Sequence, residues 1–99
     1  MYIVEEMNSN RKEEGIEVQY LYRLLKSEYH GIDVFGIEVE RKDIAEGKTV
    51  NIERNSVKLI SPKIEKVRNM LFTLYKGEVS PIHLIDILGE DIDKCVFDF

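Results

Sequence analysis

The sequence predicts an α+β fold: an antiparallel β-meander of three to five strands, followed by two α-helices packed on one sheet face. Apolar and polar residues alternate with a period of two before residue 61, and apolar residues recur at spacings of three and four after it. Ninety-nine residues, 43% of them hydrophobic, suffice for one core, so we expect a single domain over residues 1–99. Strands are expected over about 2–60, and helices over about 62–76 and 81–94.

The strand half contains three clear alternating segments, at 16–25, 35–40 and 49–53. A weaker strand is expected at 2–7, and the polar segment 8–15 is interpreted as a loop that leads into the next strand. Consecutive strands joined by polar connections are typical of an antiparallel meander.

Two glycines mark the later turns of the meander. Gly31 and Gly47 each follow a polar residue between strands, and glycine adopts a positive φ without a steric penalty. We expect the helices to cover the apolar face of the middle strand, which carries Phe35, Ile37 and Val39. The opposite face carries Glu38 and Glu40, and we expect water to cover it.

Each predicted helix is preceded by a Ser-Pro pair, Ser61-Pro62 and Ser80-Pro81. A serine hydroxyl caps free backbone N–H groups, and proline at the first helical position lacks only an N–H that has no partner there. The first helix is expected to bury a stripe of four residues: Ile64, Val67, Leu71 and Leu74. The second is expected to bury Ile82, Ile85 and Leu88.

The charge balance narrows the classes of partner. Fourteen Lys and Arg residues stand against nineteen Asp and Glu residues, which gives a net charge of -5 and disfavours nucleic acid and anionic membranes. No apolar segment approaches the ~18–20 residues of a membrane helix, and the first residues do not resemble a secretory signal. Cys95 is the single cysteine, so no intramolecular disulfide can form. We therefore predict a cytoplasmic protein.

The sequence contains no standard catalytic or cofactor motif. A glycine-rich phosphate loop, a dinucleotide fingerprint, a paired-His zinc helix and a nucleophile elbow are all absent. His30, His83 and Cys95 are the only His and Cys residues, and no two share a ligand spacing. We therefore assign no catalytic residue, no cofactor and no metal ligand, and we expect Cys95 to be a small buried apolar residue.

One weak candidate site remains. His83 and Asp86 are three residues apart on a predicted helix, so their side chains can meet, and an Asp that orients a His supports a general base. No nucleophile stands beside them, so we favour the interpretation that they are surface neighbours. Glu38 and Glu40 could likewise do acid–base chemistry, but we favour a solvated sheet face.

Two segments resemble a known family. Residues 35–40 read Phe-Gly-Ile-Glu-Val-Glu, and residues 80–86 read Ser-Pro-Ile-His-Leu-Ile-Asp. Both are similar to segments of a family of small proteins from Gram-positive bacteria, a domain of unknown function, and the resemblance covers roughly residues 16–92. It implies a bacterial cytosolic origin and a single compact domain. It carries no activity, cofactor or site residue.

The leading hypothesis is a non-enzymatic interaction or regulatory protein, whose partner is another protein or a second copy of the chain. Exposed sheet edges together with three tyrosines are expected to form the contact surface: Tyr20, Tyr22 and Tyr29.

Two alternatives stay open. One is a small-ligand-binding protein or minor enzyme with a site near His83 and Asp86, which would need a pocket beside them. The other is an acidic nucleic-acid mimic that inhibits a basic protein through Glu38, Glu40 and the acidic last residues.

Overall fold

A computed structural model describes residues 1–99 and shows four antiparallel strands followed by two helices. The strands lie in the sheet in sequence order, as a meander. This confirms the predicted fold class. The elements are β1 (Tyr2–Glu13), β2 (Ile16–Tyr29), β3 (Ile32–Ala45), β4 (Lys48–Ser61), α1 (Ile64–Lys76) and α2 (Leu84–Lys94), with 3₁₀ turns at Pro81–His83 and Cys95–Asp98. No helix has the length and apolar content that crossing a membrane requires.

All three hairpins turn over two residues of the same kind. In each turn both residues have positive φ, as in a type I′ turn, and the second is glycine: Glu14-Gly15, His30-Gly31 and Glu46-Gly47. The predicted loop over 8–15 is therefore wrong, because β1 continues to Glu13, which pairs with Ile16. β1 is an edge strand whose inner face is only half-buried and packs a single apolar residue, Met7, against the core, so its apolar alternation in the sequence is weak.

The glycine of the Phe-Gly-Ile-Glu segment has a structural reason. The register of β3 against β4 shifts around Gly36, so that three residues of β4 lie opposite this one residue. A Cβ atom at Gly36 would collide with the carbonyl oxygens of Val57 and Lys58. Only a residue without a side chain fits beside this bulge.

The hydrophobic core lies between the helices and one face of the sheet. The face that bears Phe35, Ile37 and Val39 is covered, as predicted. Fifteen buried residues form this core: Val18, Tyr20, Tyr22, Leu24, Phe35, Ile37, Val39, Ile60, Val67, Met70, Leu71, Leu74, Leu84, Leu88 and Cys95.

α1 buries the expected stripe with one exception. Val67, Leu71 and Leu74 are fully buried, whereas Ile64 is only partly buried. The helix begins two residues after Pro62, and the Ser61 hydroxyl accepts a hydrogen bond from the Lys63 N–H at 3.1 Å instead of capping the helix itself.

The predicted stripe of the second helix is displaced. Ile82 and Ile85 are 68% and 51% exposed, and the prediction of their burial is wrong. The buried positions are Pro81, Leu84, Leu88 and Cys95. The predicted stripe has spacings of three and the observed one has spacings of three, four and seven; both patterns return to one side of a helix, so the apolar pattern alone does not choose between them. The 3₁₀ turn decides, because it packs Pro81 inward and thereby fixes the rotation of the helix that follows.

Candidate interaction surface

The structure brings the predicted pair His83 and Asp86 together at the surface. Nδ1 of His83 lies 3.5 Å from Oδ2 of Asp86, and the two side chains are 58% and 77% exposed. None of the five surface pockets is lined by either residue. The pair therefore faces open solvent, and the alternative of a ligand or catalytic site at this pair stays open.

Glu40 is buried, which corrects the expectation that water covers both glutamates of β3. Its side chain is 1% exposed although no helix lies over it. Its carboxylate accepts hydrogen bonds from Nε of Arg54 at 2.9 Å and from Nη2 of Arg23 at 3.3 Å. Arg23 also donates to Glu38 at 3.0 Å and to Glu6 at 2.7 Å. The register places Arg54 directly opposite Glu40, and Arg23 opposite Glu38.

These contacts determine the charge of Glu40. Burial alone would raise the pKa of its carboxyl group, but the hydrogen bond from Arg54 and the charge of Arg23 outweigh burial, so its pKa lies below the ordinary value. The carboxylate is ionised and fully paired. Glu38 and Glu40 consequently do not present the free acidic surface on which a nucleic-acid mimic would depend.

Two of the three tyrosines expected at a contact surface belong to the core. Tyr20 and Tyr22 are 1% and 0% exposed. The Tyr22 hydroxyl donates to the carbonyl oxygen of Val79 at 3.0 Å, and the Tyr20 hydroxyl lies 3.3 Å from the Ser80 Oγ. The prediction that Tyr20 and Tyr22 contact a partner is wrong, because both rings are buried and their hydroxyls contact the segment that leads into the second helix. Only Tyr29 is accessible.

The His and Cys residues that could bind a metal ion lie on separate elements. Cys95 is buried as expected, and burial raises the pKa of its thiol. His30 lies in the turn between β2 and β3, and His83 in the 3₁₀ turn before α2. The structure contains no group of three or more His, Cys, Asp or Glu side chains that could hold a metal ion.

An ionic clamp holds the last turn of the chain against the start of α1. The carboxylate of Asp98 accepts hydrogen bonds from Lys66 Nζ at 2.9 Å and from the Ser61 Oγ at 2.7 Å, and Lys63 Nζ lies 3.4 Å away. The hydrogen bond from Lys66, aided by that from Ser61, lowers the pKa of Asp98 to about 2. The clamp fixes the residues on either side of Asp98.

The clamped residues complete an apolar surface at the β2–β3 turn end of the sheet. Tyr29, Leu59, Val96 and Phe99 line an open pocket of about 350 Å³ that has no polar lining residue. The rings of Tyr29 and Phe99 meet edge to face, with centroids 6.1 Å apart. We call this surface the apolar end and define it by the four lining residues, Ile32 and Phe97.

The side chains of the apolar end are strongly exposed. Phe97 is 88% exposed, Val96 62% and Phe99 52%. Ile32, directly opposite Tyr29 in the hairpin, is also exposed. The sequence gives one local signal of this surface, the apolar character of residues 96–99. It gives no signal of the pocket, which joins three segments distant along the chain.

Fold and surface together define a small two-layer α+β protein with an accessible apolar end and no recognisable catalytic constellation. The chain belongs to the family of unknown function DUF6514, whose sequence model matches residues 1–94. No curated protein and no solved structure matches the chain. Val96, Phe97 and Phe99 lie just beyond the region that the family model matches.

Proposed function

We propose that this protein is a non-enzymatic interaction module that binds a protein partner through the apolar end. The observation that carries the proposal is the pocket of Tyr29, Leu59, Val96 and Phe99 beside the protruding Phe97. Exposed contiguous apolar surface of this kind is a mark of protein interfaces, and aromatic residues are enriched in them.

The lining favours a protein partner over a small molecule. Small-molecule sites combine apolar walls with a few polar groups that orient the ligand. All four lining residues of this pocket are hydrophobic, and the pocket is open to solvent. Such a surface binds through apolar contact area and complementary shape, and an apolar side chain of a protein partner provides both.

The proposed compartment is the cytosol. A single buried thiol whose pKa is raised by burial is suited to a reducing environment. The Gram-positive origin rests on the resemblance of residues 35–40 and 80–86 and stays a prediction.

Photo-crosslinking tests the proposal. A benzophenone side chain replaces Phe97 in one variant and Phe72 in a second, and each variant is irradiated in the cells that naturally make the protein. Phe72 is the matched control, because it is an exposed phenylalanine on α1, away from the apolar end. We expect a discrete protein adduct from position 97 and none from position 72.

Two results would contradict the proposal. One is the absence of any adduct from position 97 under conditions in which the protein is folded and abundant. The other is the same set of adducts from both positions, which would indicate random collisions rather than a specific surface.

A further inference from the structure

We propose that the partner of the apolar end is a second copy of this chain, with Phe97 of each copy inserted into the pocket of the other. This inference rests on the proposed function and names its partner.

The apolar end carries both a protruding side chain and a pocket that fits it. Phe97 is 88% exposed and follows Val96, which lines the pocket. The pocket is open to solvent and has a volume of about 350 Å³. An apolar cavity of roughly 150 Å³ already binds benzene, so this pocket accommodates a phenyl ring together with part of its backbone.

A protrusion and a pocket on one surface make that surface self-complementary. When two copies meet about a two-fold axis, each Phe97 reaches the pocket of the other copy, and both contacts form together. This is the isologous arrangement of most homodimers, and it closes the assembly at two copies.

The exposed area is sufficient for a specific but modest interface. Taking a typical aromatic side-chain area, the exposed fractions of Phe97, Phe99 and Tyr29 amount to about 370 Å² per copy. Ile32, Leu59 and Val96 add exposed aliphatic surface. The six side chains together expose roughly 600 Å² per copy, which lies above the roughly 500 Å² per partner at the lower limit of a biological interface and below the roughly 800 Å² of a standard one. We therefore expect a dimer dissociation constant in the micromolar range, about 1–100 μM.

The apolar end is ordered before it binds. Asp98 is held by Ser61 and Lys66, so Phe97 and Phe99 project from a fixed backbone. Binding then restricts few additional degrees of freedom, which favours association. The clamp also separates the two phenylalanines, so that Phe99 serves as a wall of the pocket and Phe97 as the inserted side chain.

Sedimentation velocity on the purified chain measures the self-association directly. We expect a monomer–dimer equilibrium over about 1–500 μM, and a dissociation constant at least about tenfold larger for Phe97→Ala. Phe72→Ala should leave the constant unchanged. Each copy has a net charge of -5, so added salt should strengthen the dimer by screening the repulsion between copies.

A mixing experiment tests the reciprocal insertion. Phe97→Ala keeps the pocket and loses the inserted ring, and Leu59→Glu keeps the ring and places a charge in the pocket. In a mixture, the ring of the second variant meets the intact pocket of the first. We expect the mixed dimer to be about tenfold tighter than either variant alone. Should Leu59→Glu fail to fold, Val96→Glu replaces it, because Val96 is 62% exposed.

The outcomes separate this inference from the proposed function. A monomer at every concentration overturns the dimer, as does a dimer that Phe97→Ala leaves intact or a mixture no tighter than its components. In each of these cases a crosslinked adduct with a different protein at position 97 would still support the interaction module. Absence of both the dimer and the adduct overturns both.

Discussion

Ile37 on one face of the sheet and Glu40 on the other are buried by different physical means. The inner face, which bears Ile37, is covered by a layer of helices, and its closely packed and mostly apolar side chains exclude water. The outer face has no helical layer, yet Glu40 is as inaccessible there as the core residues. Arg54 and Arg23 from neighbouring strands lie over its carboxylate and satisfy it. Burial of Ile37 therefore depends on packing volume, and burial of Glu40 depends on the strand register that places two arginines beside it; Leu21 and Leu25, on the same face as Glu40, are buried apolar residues.

The largest effect is expected for a cavity on the inner face. Leu71 is fully buried, and Leu71→Ala should lower the free energy of unfolding by about 2–5 kcal/mol. Phe72→Ala, the adjacent exposed position, should cost less than about 1 kcal/mol. Chemical denaturation of both variants measures the difference, and equal losses would contradict the packing of α1 described here.

A side chain at the bulge should be the next most disruptive change. Gly36→Ala places a Cβ against two backbone carbonyls of β4, which cannot move aside as a side chain would. We expect a loss of roughly 3 kcal/mol in unfolding free energy. Gly89→Ala is the control, since a Cβ there meets only the Ile85 side chain at 3.6 Å. An undisturbed Gly36→Ala variant would show that the register shift is absent.

Breaking the ion cluster should test burial on the outer face. Arg23→Met removes a hydrogen-bond donor from Glu40, Glu38 and Glu6 while keeping an apolar stem. We expect a loss of about 1–3 kcal/mol, because the carboxylates lose a charged donor. The double variant Arg23→Met with Glu40→Met should recover part of this loss, since it removes the buried carboxylate that would otherwise depend on Arg54 and Lys42 alone. If the double variant loses the sum of the two single effects, the two residues are not coupled.

Acid should weaken the stabilisation that the folded protein gains from its paired carboxylates. The pKa of Asp98 falls from an ordinary 3.8 to about 2 on folding, and that of Glu40 is also lowered. A carboxylate whose pKa is lowered on folding stabilises the folded state at pH values above the ordinary pKa of the group. This stabilisation is lost as the pH falls from about 4 to about 2. Asp98→Asn should therefore show a shallower loss of thermal stability over this window than the unaltered chain. Asp93→Asn, at an exposed position, should follow the unaltered chain.

The smallest effect is expected at His83, which belongs to neither buried face. His83→Ala removes an exposed side chain whose only polar contact is Asp86, so the free energy of unfolding should change by less than about 0.5 kcal/mol. Thermal unfolding of the variant checks this. A loss above roughly 2 kcal/mol would mean that the His83–Asp86 pair contributes substantially to the stability of the fold.

The same contrast explains which parts of the structure can be predicted from the sequence. The inner face and the α1 stripe were predictable, because one-sided burial imposes a period of two on strands and 3.6 on helices. The predicted β1 is too short, because an edge strand with one half-buried and mostly polar face carries only a weak period of two. The burial of Glu40 depends on which residue of β4 stands opposite it, and the sequence does not encode that register locally. The apolar end was missed for the same reason, because Tyr29 and Phe99 meet only in the folded chain.

The two-residue turns described above bear on the order in which the chain folds. Each strand pairs only with its sequence neighbour, so the meander closes through short loops, and hairpins of this kind form in about 1–10 μs. The contact between Ser61 and Asp98 spans 37 residues and requires α1 and α2 to be in place first. We expect the sheet to nucleate folding and the ionic clamp to close last. Backbone amides of residues 95–99 should then exchange with deuterium before those of β2 and β3, through local opening that leaves the sheet intact.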